Sequence, residues 1–389
     1  MLRIPLKKAR PGMILARHIY NSNGKVLLTA GIQLEEHYIK RLKALGISSI
    51  YIHDKYTDGI EFIEAISEET RLRAESTVVK VFQETRENRK LNVKAIYSTT
   101  EHIINEILKN KNALVNLAEV RAYDNYTFAH SVNVCVLSVI TGASLGFNKA
   151  QLRDLGIGAL LHDIGKTQID PALLNKVEPL NDHEFEAIKK HPHAGFEILR
   201  QAPEISLLSA HVAFQHHERL DGSGYPRGLK GKEIHPYAMI TAVADIYDAL
   251  VSDRPYRLGI PPHQALDTIA HQAERTLDPE IVAAFTKNIA PYPVTTPVQL
   301  NTGEIGIVVD VNKNYRHRPV VRVIFDPELK ELPKFREVDL SKNKDLYIAK
   351  VLTPEEFPIV SESSPQVRRE DPFAELRPAE NKVVKDSLV

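Results

Sequence analysis

Hydrophobic and polar positions change rhythm three times along the chain, and each rhythm predicts a different kind of structure. Up to about residue 57 the apolar runs are short and set between turns: Met13-Ile14-Leu15-Ala16 follows Pro11-Gly12, and Lys25-Val26-Leu27-Leu28 follows Asn23-Gly24. Asn-Gly between such runs signals a hairpin, because both residues accept the positive φ of a tight turn. Glu35 to Leu45 places Ile39, Leu42 and Leu45 on one helical face with Gly46 as the stop, and Ser48-Ser49-Ile50-Tyr51-Ile52 then reads as a strand. Residues 1–57 are expected to form a small α+β module.

From about Asp58 the spacing becomes helical and stays so to about Ile289. Glu68 to Arg73 carries a charged face and Thr100 to Leu117 is amphipathic. Arg71 to Lys94 has few large apolar anchors per turn, which suits a solvated connector or one side of a dimeric helix pair. Val132 to Phe147 is the most apolar stretch, but it is shorter than a membrane span and contains Asn133, Ser138 and Thr141, so it reads as a core helix. Asp278-Pro279-Glu280 opens another helix, with Asp as cap and Pro in the first turn.

Pro291, Pro293 and Pro297 end the helical rhythm. Beyond them Ile305 to Val309 and Val320 to Phe325, parted by the polar turn Asn312-Lys313-Asn314, are rich in β-branched residues and read as strands of a small β domain at 293–352. From Thr353 the chain is dense in Pro, Glu, Ser and Lys, and 353–389 is expected to be a disordered tail. The fold class expected is mainly α, flanked by these two smaller modules.

Composition narrows the function. The 389 residues, 43% hydrophobic, can form a core and two or three domains. Lys+Arg and Asp+Glu are each 50, so no global positive field would gather a nucleic-acid polymer or an anionic membrane, and any phosphate binding must be local. The lone Cys135 excludes an intramolecular disulfide, lies in an apolar stretch as a structural thiol would, and suits a reducing cytoplasm. Lys7, Lys8 and Arg10 are interrupted by Pro5 and Pro11-Gly12 before any apolar run, so no export signal is expected.

The candidate chemistry centres on Leu160-Leu161-His162-Asp163-Ile164-Gly165-Lys166, an apolar helical run ending in an adjacent imidazole and carboxylate. Adjacent residues on a helix point about 100° apart, so the pair can share a metal only where the helix ends. Further ligands are available in His130, His191, His216, His217 and Asp245, with Lys166, Tyr225 and Arg254 as phosphate contacts. Histidine with carboxylate and no paired cysteines favours iron or manganese over structural zinc. A lone histidine on an apolar helix is usually a satisfied core residue, a reading that suits His37, His53, His102 and His271 but not the adjacent pairs. His216 to Pro226 joins two such ligands to a glycine-rich turn, and Asp245 and Asp248 share one helical face among apolar neighbours.

Three motifs, in order, resemble the signature of HD-GYP domains, the cyclic di-GMP phosphodiesterase branch of the HD hydrolase superfamily. They are His162-Asp163-Ile164-Gly165-Lys166, the His216 to Pro226 segment, and Asp245 to Leu250 with Asp253-Arg254-Pro255-Tyr256-Arg257. His191-Pro192 stands between the first two, and the likeness covers roughly residues 120–290. It implies an all-helical HD-type catalytic domain at 120–292 preceded by a helical connector at 58–119.

It also implies roles. His130, His162, Asp163, His191, His216, His217 and Asp245 would hold two divalent metals, with Asp163 bridging them. Lys166, Tyr225, Arg254 and Arg257 would meet substrate phosphates or guanine, Asp163 and Lys166 being catalytic, and Asp124 and Asp248 would support the site by holding Lys166. Some members of the family bind a third metal through a glutamate four residues before the first ligand histidine; Tyr126 stands there in this chain, so two ions are expected. The implied substrate is cyclic di-GMP, cut to pGpG or GMP in second-messenger signalling. Alternatives are another cyclic dinucleotide or nucleotide as substrate, or a non-catalytic module that binds the dinucleotide; the latter should have lost ligands, and all seven positions are filled. A homodimer or other signalling partners remain open.

Overall fold

The computed structural model describes residues 1–20, 26–60, 64–110, 126–174, 176, 178–252, 259–353 and 356–357. At the N-terminus β1 (Leu2–Pro5) pairs antiparallel with β4 (Ser49–Ile52), Leu2 opposite Ile52. Between them β2 (Ile19–Tyr20) pairs with β3 (Val26–Leu28), as the Asn-Gly signal predicts, although the turn itself lies outside the described residues. The helix α1 (Glu36–Ala44) buries Tyr38 and Leu42 and stops at Gly46, whose φ of +73° suits glycine. The strand expected at Met13–Ala16 is reduced to isolated bridges, Ile14 to Gln33 and Leu15 to Ile52.

The helical region comprises α2 (Glu68–Arg86), α3 (Val93–Lys109), α4 (Tyr126–Ser144), α5 (Lys149–Leu160), α6 (Pro171–Leu174), α7 (Asp182–Ile188), α8 (His191–Arg200), α9 (Leu207–Gln215), α10 (Pro236–Val251), α11 (Pro262–Gln272) and α12 (Pro279–Thr286). Its core is continuous from Ala74 and Val78 of α2 through Val132, Val136 and Val139 of α4 to Phe285 of α12. Here the reading of Arg71 to Lys94 as a solvated connector is corrected over the span of α2. α2 packs against α3 and α4, burying Ala74, Val78, Val81 and Phe82 at helical spacing. Its apolar face is built mostly of small residues and shares its buried positions with Arg71, Glu75 and Thr85, which is why it looked solvated in sequence. Asp278 caps α12 through the Glu280 and Ile281 amides. Among the described residues no helix is long and apolar enough to cross a membrane.

The C-terminal strands are β5 (Pro297–Leu300), β6 (Ile305–Asp310), β7 (Val320–Phe325), β8 (Glu331–Asp339) and β9 (Ile348–Val351). They form one antiparallel sheet in the order β8-β7-β6-β5-β9. The sheet and the N-terminal module share a core: Leu2, Ile4, Leu15 and Tyr56 pack with Ile305, Ile307, Ile324 and Phe325. Polar contacts cross the same seam, with Lys55 Nζ 2.8 Å from Glu331 and Arg322 donating to the Asp58 carbonyl at 2.8 Å. The expectation of a tail disordered from Thr353 is corrected only at its start, because Phe357 is 2% exposed and stands edge-on to Tyr56 and Phe325. Residues 358–389 lie outside the described set.

Candidate metal centre

The site forms where α5 ends. Asn148 and Gln151 close a capping box at its start, and Leu161 caps its end, so His162 and Asp163 occupy the turn before a 3-10 helix at Ile164–Gln168. Freed from regular helix geometry, the two side chains converge: His162 Nε2 is 3.4 Å from Asp163 Oδ2. Gly165 supplies room at this turn. A Cβ there would lie 1.9 Å from the His191 carbonyl, so the start of α8 can pack directly against the turn.

That packing places His191 over Asp163, with Nε2 3.4 Å from Oδ1. His216 Nε2, from the end of α9, lies 3.8 Å from the same oxygen, and His130 Nε2, from α4, lies 4.0 Å from Oδ2. Asp245 of α10 approaches His130 Nε2 at 3.1 Å. Three ligating groups follow: His191 with His216 and His217, His130 with His162 and Asp245, and His162 with Asp163 and His216. Among the described residues the first two share no residue, and the third shares His216 with the first and His162 with the second, adding Asp163 between them.

The backbone fixes the tautomers. Nδ1 of His162 faces the Ala159 carbonyl at 2.8 Å, that of His191 the Ile188 carbonyl at 2.8 Å, and that of His216 the Ala213 carbonyl at 3.0 Å. A carbonyl can only accept, so each Nδ1 carries the proton and each Nε2 offers its lone pair inward. Burial reinforces this, pushing His191 down to about 4, His217 to about 3 and His216 well below the usual imidazole range. For Asp163 burial opposes charge, but the Lys166 ammonium and His162 outweigh it and keep the carboxyl well below its ordinary value.

His130 differs, because two carboxylates outweigh the burial that would lower it and raise it to about 10. Its Nδ1 bonds Asp248 Oδ2 at 2.7 Å, leaving Nε2 toward Asp245 and the centre. Among the described residues at this centre, two buried atoms are left without a hydrogen-bond partner, His162 Nε2 and Asp163 Oδ1. Both are lone-pair donors facing the same space, and leaving them bare costs a few kcal/mol each unless a cation satisfies them. The donor set therefore fits a divalent metal.

These positions identify what the chain is. Residues 102–281 match the family model described as HD domain, and 297–359 match one described as a KOW domain associated with HD domain. Residues 102–281 thus form an HD domain. A cyclic di-GMP phosphodiesterase of Pseudomonas aeruginosa is 35% identical over 272 residues, 69% of this chain and 65% of that protein. One of Thermotoga maritima is 40% identical over 192 residues, 49% of this chain and 51% of its own. The 3'3'-cGAMP-specific phosphodiesterase 3 of Vibrio cholerae is 38% identical over 174 residues, 45% of this chain and 38% of its own. The chain thus spans less than two thirds of the length of these relatives.

Around this HD centre the other expected residues fall into three groups. Lys166 donates to Asp163 Oδ2 at 2.5 Å, and Tyr225 stacks on His217 with ring centroids 4.6 Å apart. Asp248 binds His130 and Asn133 and not Lys166, so the contact expected for it is corrected. Asp124, Arg254 and Arg257 lie outside the described residues, as does the Tyr126 side chain.

Sequence reasoning missed four supports. Glu218 is buried and accepts from the Arg227 and Leu229 amides at 2.8 and 2.9 Å, tying down the glycine-rich loop that carries Tyr225. Gly224 belongs to the same fold-back, since a Cβ there would lie 2.5 Å from the His217 carbonyl. Phe185 on α7, 44% exposed, stands edge-on to Tyr225 with the Lys189 ammonium 4.8 Å from its ring. The fourth is Asn133 with Arg71, whose 62-residue separation in sequence gave no signal that they meet.

Proposed function

We propose that the chain is a metal-dependent phosphodiesterase that hydrolyses cyclic di-GMP to linear pGpG and, after a second cut, to GMP. The observation that carries this reading is the buried Asp163 carboxylate with four imidazole Nε2 atoms within 4.0 Å of it. Names of relatives in Pseudomonas aeruginosa and Thermotoga maritima support the substrate. His191, His216 and His217 would hold one ion and His130, His162 and Asp245 a second, with Asp163 between them. A nitrogen and oxygen donor set without thiolate suits iron or manganese. When bound, such ions supply Lewis-acid polarisation of the phosphoryl oxygens and activation of water.

The chain's own groups would do the rest. Water adds to phosphorus, the bond from phosphorus to the 3′-oxygen breaks, and that oxygen leaves as a hydroxyl. Lys166, 29% exposed at the rim of a buried centre, neutralises charge gathering on the phosphoryl oxygens. Tyr225, its phenol kept protonated by burial and by the Asp163 and Asp245 carboxylates, offers a donor and a stacking face. Arg254 and Arg257 are assigned to the second phosphate and the guanine edge, Asp124 to support, and the cytoplasm is the assigned location.

A second substrate, 3'3'-cGAMP, is favoured by the Vibrio cholerae relative, whose printed specificity is for that dinucleotide. The same phosphodiester chemistry serves both. Incubation of manganese- or iron-loaded protein with each dinucleotide, resolved by liquid chromatography, decides between them. Conversion of cyclic di-GMP at the higher kcat/KM supports the proposal; turnover of 3'3'-cGAMP alone, or of neither, refutes it.

A further inference from the structure

α4 and α10 are cross-braced beside the metal centre by two residue pairs, each three apart on one helical face. α4 provides His130 and Asn133, and α10 provides Asp245 and Asp248. One Asp248 oxygen takes His130 Nδ1 at 2.7 Å, and the other accepts from Asn133 Nδ2 at 2.8 Å. The Asn133 amide is oriented in turn by Arg71 of α2, whose Nη1 donates to Oδ1 at 2.9 Å. All of these groups are buried: Arg71 is 7% exposed, Asn133 5%, His130 5% and Asp248 1%.

Burying a guanidinium is costly unless its hydrogen bonds are made, so its presence here calls for a reason beyond packing. Its position supplies one. A guanidinium can only donate, so it fixes which end of the Asn133 amide faces Asp248. The amide must then donate to that carboxylate, which must accept from His130 Nδ1, and His130 is left with Nε2 toward the centre. Each bond in the series has one permitted direction.

We infer that Arg71 is a positioning residue for the metal centre, holding His130 in the ligating tautomer and rotamer through Asn133 and Asp248. It lies ahead of the segment 102–281 that matches the HD domain, so the centre is completed by a helix outside that match. The inference rests on the metal-dependent reading above. A carboxylate bonded directly to a ligating histidine, as Asp248 is, typically carries about 10–100-fold in metal affinity, and Arg71 acts through it.

The test is a double-mutant cycle on manganese affinity, measured by competition with a chromophoric chelator, using full-length parent, Arg71→Met, Asn133→Leu and the double variant. Arg71→Met should weaken binding about 10-fold or more in the parent background and cause no further loss in the Asn133→Leu background. Arg71→Lys, which retains a donor, should recover most of the affinity. The double variant leaves no guanidinium facing an apolar side chain at this contact, so it guards against the single variant failing to fold. If Arg71→Met does not fold, affinity in the double variant matching that of Asn133→Leu still supports the inference, and a further loss overturns it. A melting-temperature loss with unchanged manganese affinity would show a purely structural Arg71 and overturn it, as would equal losses in both backgrounds. Failure of the parent itself to bind manganese or iron would instead overturn the functional reading beneath it.

Discussion

Lys166 donates to the same Asp163 oxygen, at 2.5 Å, that lies 3.4 Å from His162 Nε2. The ammonium and the imidazole thus meet the bridging candidate from two sides. The 3-10 turn after Asp163 makes this possible, since it brings a residue three places on back over the carboxylate.

Lys166→Met should lower kcat by about 10²–10³-fold, the usual cost of losing one donor aimed at developing charge, with KM changed much less. Metal content should remain that of the parent. Loss of metal with undiminished kcat per bound ion would make Lys166 a structural partner of Asp163 only.

Glu106 of α3 docks the first turn of α2, accepting from the Ser67 amide at 2.6 Å, Ser67 Oγ at 2.9 Å and Thr70 Oγ1 at 2.6 Å. Burial opposes its ionisation, but these hydrogen bonds outweigh burial and hold its pKa below the ordinary value of 4.5. A depressed carboxyl stabilises the fold above its unfolded pKa, and that contribution is lost as pH falls through the folded value. Glu106→Gln should therefore melt a few degrees below the parent at pH 7, and the gap should narrow progressively below about pH 4.5. A gap independent of pH between 7 and 3 would show that the charge contributes nothing.

Phe357→Ala should destabilise the protein by about 3–5 kcal/mol, the range for removing a buried phenylalanine. Deletion from residue 353 onward should do at least as much, while turnover per folded molecule at 25 °C stays at the parent value. Denaturant melts read the first effect and initial rates the second; an unchanged midpoint would show that Phe357 packs without contributing.

Much of this architecture was legible in the sequence because local signals agreed with the fold. Gly46, Asp278 and the β-branched runs of β6 and β7 act within a few residues of themselves, so periodicity and capping locate them. The metal candidates stood out for a related reason: adjacent pairs such as His162-Asp163 cannot be buried without partners. What escaped was long-range. Nothing near Arg71 or Asn133 announces that they meet, or that the meeting continues to His130 through Asp248. Phe357 sits in a polar stretch, and only the shared core of the two end modules explains its burial.

Metal held by the buried histidines and Asp163 is proposed to drive cleavage of cyclic di-GMP. The direct measurement follows cyclic di-GMP and its linear products over time with manganese-loaded parent, the chelated parent, and a folded Asp163→Ala variant. pGpG or GMP is expected from the loaded parent alone, with activity restored to the chelated protein on adding metal back. Equal turnover by metal-loaded Asp163→Ala, or none by a parent carrying its full complement of metal, would contradict it.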